Sequence, residues 1–132
     1  MNNTPRFDVR LDIDAVKEYN KLDGSLLDIV NKSIDELEYR ADEVGKSLGN
    51  KGNTKLSGCK EIKLRDAGIR IVFRITNDTV EVLRVVYILT IEKRSRDFVF
   101  KLAAKRFKKF KEIKNLNQVL SESNKWNVKK RD

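Results

Sequence analysis

Residues 59–91 read CKEIKLRDAGIRIVFRITNDTVEVLRVVYILTI, the pattern of three consecutive strands joined by short turns. Cys59–Arg65 predicts a first strand, Asp66-Ala67-Gly68 a turn, and Ile69–Thr76 a second strand. Asn77-Asp78 predicts another hairpin turn, and Val80–Ile91 a third strand. That third strand is apolar almost throughout, which predicts a central position with both faces covered. The pleat sorts the side chains. Ile62 and Leu64 point to one face, and Glu61, Lys63 and Arg65 to the other. In the next strand Ile69, Ile71, Phe73 and Ile75 point inward, and Arg70, Val72 and Arg74 outward. The short turn lets Lys63, Arg65, Arg70 and Arg74 share one sheet face. Four cations on neighbouring strands repel each other, which costs stability unless an anion sits there. A solvated face with Glu61 as partial partner is the alternative.

Outward from this core, Phe7, Val9, Leu11 and Ile13 alternate with Asp8, Arg10 and Asp12, the period of a half-buried strand. Asp14 can cap a first helix holding Ala15, Val16, Tyr19 and Leu22, which Asp23-Gly24-Ser25 breaks. A second helix is expected from about Leu26 to Asp42, with Ile29, Val30, Ile34 and Leu37 on one stripe. Residues 45–58 hold four of the six glycines and read as a long loop. On the other side, Ser95 or Asp97 can cap a third helix, with Val99, Ala103, Phe107 and Phe110 at helical spacing. A short helix near Asn115–Ser123 and a fraying tail are expected to follow, with Trp126 docked on the body or on a partner. The fold class is α+β: a small, twisted, mainly antiparallel sheet of about four strands, an N-terminal helical hairpin and a basic C-terminal helix.

Composition bounds the chemistry. The 132 residues suit one domain with one ordinary core. Charged residues are 37%, against a usual ~25%. The single cysteine, Cys59, excludes a disulfide framework and a four-ligand zinc site. The absence of histidine excludes serine-type triads and most catalytic zinc chemistry. The net charge of +9 is unevenly spread: residues 1–55 carry −2 and residues 56–132 carry +11. Residues 93–114 alone hold ten Lys or Arg against two acids. Such asymmetry points to a polyanion met by one surface. No run of 18 apolar residues is present and MNNTPRFDVR lacks an apolar signal core, so a cytoplasmic protein without a membrane partner is expected.

A basic surface without histidine suits phosphate chemistry, and RNA cleavage by the ribose 2′-hydroxyl is compatible with it, because there the substrate supplies the nucleophile. The protein must hold the phosphate in line, neutralise its oxygens and manage two proton transfers. Arginine neutralises well through its planar fork of donors. Lysine takes the first proton only where neighbouring cations lower its pKa. Plain nucleic-acid binding needs the same charges. Metal-assisted cleavage needs converging carboxylates, and the basic half offers only the commonplace Glu61-Ile62-Lys63. No metal and no cofactor are expected.

Two segments carry a family resemblance: GCKEIKLRDAGIRIVFRI, residues 58–75, and EKRSRDFVFKLAAKR, residues 92–106. Together with the element order they resemble the RelE branch of the RelE/ParE toxins, over roughly residues 6–107. The resemblance implies a toxin-like domain over 1–112 and a basic C-terminal extension over 113–132. It implies a type II toxin that enters the ribosome, cuts mRNA without metal by 2′-hydroxyl attack, and is held inactive by a cognate antitoxin. By position, Lys63 matches the family's strand lysine that assists the reaction. Arg70 matches its phosphate-stabilising arginine, and Arg94 the arginine that stabilises the transition state or leaving group. Arg65, Lys93 and Arg96 match further basic positions for RNA or ribosome contact, with Lys60 and Arg74 as additional candidates.

Two departures stand out. Glu61 replaces a lysine that studied RelE proteins carry two residues before Lys63, and the adjacent Lys60 lies on the other pleat face. Phe100 replaces a base-stacking tyrosine, keeping the ring and losing the hydroxyl. The same fold would also permit a ParE-like inhibitor of DNA gyrase, or a basic nucleic-acid-binding module whose activity has lapsed.

Overall fold

The computed structural model describes residues 4–52, 54–113 and 115–127. The chain runs β1 (Phe7–Asp12), α1 (Ile13–Asn20), α2 (Gly24–Arg40), β2 (Lys46–Ser47), β3 (Asn50–Lys51) and β4 (Thr54–Lys55). It continues through β5 (Lys60–Leu64), β6 (Ile69–Val80), β7 (Leu83–Glu92), α3 (Arg96–Lys111), α4 (Leu116–Ser121) and β8 (Ser123–Lys125). Six strands form one mixed sheet in the order β2-β5-β6-β7-β1-β8, and β3 and β4 form a separate small ladder.

This corrects the expectation of about four mainly antiparallel strands. β1 lies parallel to β7, with Val9 opposite Val86, because the chain between them crosses over through the α1–α2 hairpin. The two added edge strands are short and polar. β2 pairs with β5 and β8 pairs with β1 through backbone hydrogen bonds, which leave no hydrophobic period to read.

The sheet separates two apolar layers. Phe7, Val9 and Leu11 of β1, with Ile71, Phe73 and Ile88, face Val30, Ile34 and Leu37 of α2. On the other face Val72, Val85, Tyr87 and Leu89 meet Val99, Ala103 and Phe107 of α3. β7 is central and buried from Val85 to Ile91, as its apolar run predicts. Ile13 breaks the alternation: it begins α1 and is half exposed, and the cap is Asp12 rather than Asp14. Asp23 caps α2, its carboxylate accepting from the Leu26 N–H at 3.1 Å. The β6–β7 turn also moves, from Asn77-Asp78 to Glu81-Val82. Thr76 Oγ1 donates to the Val85 carbonyl at 2.9 Å and accepts from the Asp78 N–H, so Asn77 and Asp78 are absorbed in a bulge and pairing resumes at Thr79.

Two polar ties hold the layers in place. Glu18 of α1 takes both terminal nitrogens of Arg106 of α3 at 2.9 Å and also accepts from the Ile91 N–H. Burial nevertheless pushes the Glu18 carboxyl above its usual range, against the pull of that guanidinium. Trp126 docks on the body. Its indole N–H donates to Asp35 at 2.8 Å, its backbone N–H to the Val9 carbonyl, and its ring meets Tyr19 edge-on at 5.2 Å. Among the described residues no helix is long and apolar enough to cross a membrane.

Candidate functional site

The β5–β6 hairpin sets the first side of the site. Its register puts Lys63 directly opposite Arg70. The turn closes through Ala67 N–H to Leu64 and Gly68 N–H to Arg65, and Gly68 sits at φ +67°, where a side chain would be strained. β7 brings the second side. Glu92 pairs with Arg70, so the following Arg94, Ser95 and Arg96 arrive beside the hairpin at the start of α3. Lys63, Arg65, Arg70, Arg94 and Arg96 thus line one open cleft of about 460 Å³, with the Ser95 N-cap of α3 among them. Five cations and a helix N-terminus make a strong anion site.

Three of the four arginines are braced. Arg70 Nη1 donates to Glu61 at 2.9 Å, and Glu61 is nearly buried while Arg70 keeps about a fifth of its side chain exposed. Glu61 therefore fixes one nitrogen of the guanidinium. Among the described residues the Nε and Nη2 of Arg70 make no hydrogen bond, and the residue lines the cleft. Arg94 lies over the Phe98 ring at 4.6 Å and Arg96 over Phe100 at 5.2 Å. Arg96 and Phe100 are four residues apart on the helix surface, whereas Arg94 precedes the Ser95 cap and reaches over Phe98 of the first turn.

The remaining sequence candidates sort differently. Lys60 is on the helical-hairpin face, where its ammonium donates to the Ala41 carbonyl at 3.2 Å and sits over Phe73. Arg74 shares the cleft's sheet face but is drawn away onto Phe107 at 5.3 Å, and it packs so closely on Gly58 that a Cβ there would clash with it. Lys93 is exposed beside the cleft and its backbone N–H bonds to the Glu92 carboxylate. Phe100 lies half-buried in an adjoining cavity. Glu61, expected only as a partial partner of this basic face, is the specific support of Arg70, and Phe98, the support of Arg94, was not anticipated. The Arg-x-x-x-Phe spacing at 94–98 and 96–100 was the available signal.

Cys59 is fully buried, and burial pushes its thiol up to about 12, so it is no nucleophile. Among the described residues no three His, Cys, Asp or Glu side chains cluster as metal ligands.

No family model matches the chain. Over 99 residues it is 33% identical to the mRNA interferase toxin RelE of Escherichia coli, covering 73% of this chain and 94% of that protein. The chain belongs to the RelE family. The mRNA interferase RelE of Shigella flexneri matches to the same extent. Among solved structures, a double arginine-to-alanine mutant of E. coli RelE in the free state has a TM-score of 0.57 at 25% identity, covering 76% of this chain and 97% of its own. The isolated E. coli RelE toxin has a TM-score of 0.52 at 28% identity, over 76% and 98%. The sheet, the helical hairpin and the basic third helix are therefore the RelE fold.

Proposed function

We propose that this RelE-family chain is the toxin of a type II toxin–antitoxin pair, an mRNA interferase that cuts mRNA on the ribosome. The observation that supports it best is the convergence of Lys63, Arg70 and Arg94, from three separate segments, on one cleft of a chain 33% identical to an mRNA interferase toxin.

In this reading the scissile phosphodiester lies across the cleft. Arg70, held by Glu61, offers its free nitrogens to a non-bridging phosphate oxygen. Lys63, opposite Arg70, receives the proton of the ribose 2′-hydroxyl as its oxygen attacks phosphorus. The P–O5′ bond breaks, and charge grows on the departing 5′-oxygen. Arg94 stabilises that charge until the oxygen takes a proton from water, and Lys63 returns the proton it received to solvent. The products are a 2′,3′-cyclic phosphate and a 5′-hydroxyl. Cations supply the charge that a metal would otherwise neutralise, and the substrate supplies the nucleophile, so the mechanism calls for no metal. Phe100 offers a ring without a hydroxyl, which limits it to stacking. Arg65, Lys93 and Arg96 add contacts to RNA or ribosome.

A cognate antitoxin is the expected protein partner, and E. coli RelE has been solved with a peptide of its own antitoxin. An acidic segment laid over the basic cleft and α3 would neutralise this toxin. The reading also places it in the cytoplasm, with its target. Expression in growing cells followed by primer extension on translated messages tests the proposal. Growth arrest with codon-phased cuts is expected. Unaffected growth with intact messages would refute it.

A further inference from the structure

The cleft leaves a row of cations unused. Beyond Arg96, Lys101, Lys105 and Lys108 recur at helical spacing on the exposed side of α3. Facing them is the β3–β4 ladder, with Lys51 and Lys55. That ladder is tied down by the Ser57 N–H, which donates to Asn50 at 3.0 Å, and by Leu56, which is buried in the α3 layer.

Two cavities of about 340 and 590 Å³ lie between helix and ladder. Thr54 and Lys101 line both, and Arg96 lines both the first cavity and the cleft. Cleft and cavities therefore form a series with shared walls. Asp97 is the one carboxylate among the residues lining the two cavities. None of the five lysines is paired with a carboxylate among the described residues. Like charges this close repel, which is a cost without an anion present. From Arg96 to Lys108 the helix extends about 18 Å, room for several nucleotides.

An acidic peptide would satisfy the same charges. However, a helix laid in a groove needs apolar anchors at regular spacing, and Ala104 is the only apolar side chain lining the larger cavity. Phosphates at intervals, leading out of a phosphate cleft past the Phe100 ring, fit better. We infer that the channel between α3 and the β3–β4 ladder holds the substrate RNA strand where it leaves the scissile phosphate, with Lys51, Lys55, Lys101, Lys105 and Lys108 on its backbone. This rests on the cleft's binding a phosphodiester, as proposed above.

The test uses 2′-O-methyl RNA oligonucleotides of 3 and 12 nucleotides, which the protein cannot cleave, and fluorescence anisotropy across a salt series. The variant is Lys101→Ala/Lys105→Ala/Lys108→Ala, with its fold checked by circular dichroism. A single strand loses about 0.7 in log–log salt slope per phosphate contact. Three lost contacts should flatten the 12-mer slope by about two and leave the 3-mer slope unchanged, and the Lys→Arg triple should bind like the wild type. Equal 12-mer slopes, equal flattening on both lengths, or no wild-type binding of the 12-mer would overturn the inference. So would wild-type RNA binding accompanied by lost affinity for a polyglutamate peptide, which would assign the face to a protein. The cleft is read separately through Arg70→Ala: a 3-mer indifferent to that change would sink the cleft assignment on which the channel rests, whereas an unchanged 12-mer slope in the lysine triple would sink the channel alone.

Discussion

Glu61→Gln should slow cleavage while leaving RNA binding intact or improved. Glu61 is nearly buried and its carboxylate lies 2.9 Å from Arg70 Nη1. At that distance two unit charges attract by about 6 kcal/mol at an effective dielectric constant near 20, most of which the desolvation of Glu61 offsets. A hydrogen bond to a charged group contributes roughly 1.5–3 kcal/mol net, about twice a neutral one. Glutamine keeps the shape and an acceptor and loses the charge, so stability should fall by only about 1 kcal/mol. The guanidinium is then free to turn, and misplacing such a group by about 1 Å costs up to roughly 100-fold in rate. At the same time a negative charge behind the cleft wall is removed, and the cleft attracts phosphate more strongly. Single-turnover cleavage of mRNA on programmed ribosomes, over a range of toxin concentrations, should show the maximal rate down about 10- to 100-fold and the half-saturating concentration no higher. Glu61→Asp, which retains the charge, should recover part of the rate. An unchanged or faster rate would mean that Glu61 restrains or merely neutralises Arg70, and would refute the positioning role.

Further predictions concern the body of the fold. Trp126→Ala removes a buried ring and its bond to Asp35, at a cost of about 3 kcal/mol. The melting temperature should drop by roughly 10 °C, with the cleft's activity at low temperature retained; an unchanged melting temperature would show that β8 and Trp126 do not close the sheet edge. Cys59 should resist a thiol reagent at pH 8 until denaturant is added, since its thiol is buried and pushed up to about 12; rapid labelling of the native protein would contradict that burial. Glu38 is held above the ordinary carboxylate range, first by burial and then by Asp35 and Asp8. A raised carboxyl contributes stability at low pH that is lost as pH rises through its folded value. Glu38→Gln should therefore gain on the wild type in urea denaturation between pH 4 and pH 7, and a gain that shrinks over that interval would contradict the assignment.

The central hairpin was legible because burial on one face forces a period of two, and that period in residues 62–75 also places Lys63, Arg65 and Arg70 on one face. The α2 and α3 stripes were legible for the same reason at period 3.6. What escaped were features made by backbone pairing or by single long-range contacts. β2 and β8 are two and three residues long, and their sequences carry no pattern. The Thr76 bulge shifts the β6–β7 turn by a hydroxyl bond that a turn dipeptide does not announce. In the cleft the alternation of residues sufficed for the sign and face of the charges, and for Glu61 as their neighbour, but not for the contact each side chain makes. Arg74 is drawn onto Phe107 and Lys60 onto the Ala41 carbonyl, both set by tertiary packing.

Toxin activity rests on the chemistry at the Lys63–Arg70–Arg94 cleft. Purified protein added to ribosomes programmed with a defined mRNA, followed by analysis of the cut ends, tests it most directly. Expected are a 2′,3′-cyclic phosphate upstream and a 5′-hydroxyl downstream, cutting only when ribosomes are present, and loss of both fragments with Arg70→Ala or Arg94→Ala in a folded protein. A 5′-phosphate on the downstream fragment, equal cutting of free mRNA, or full activity in both arginine variants would contradict it.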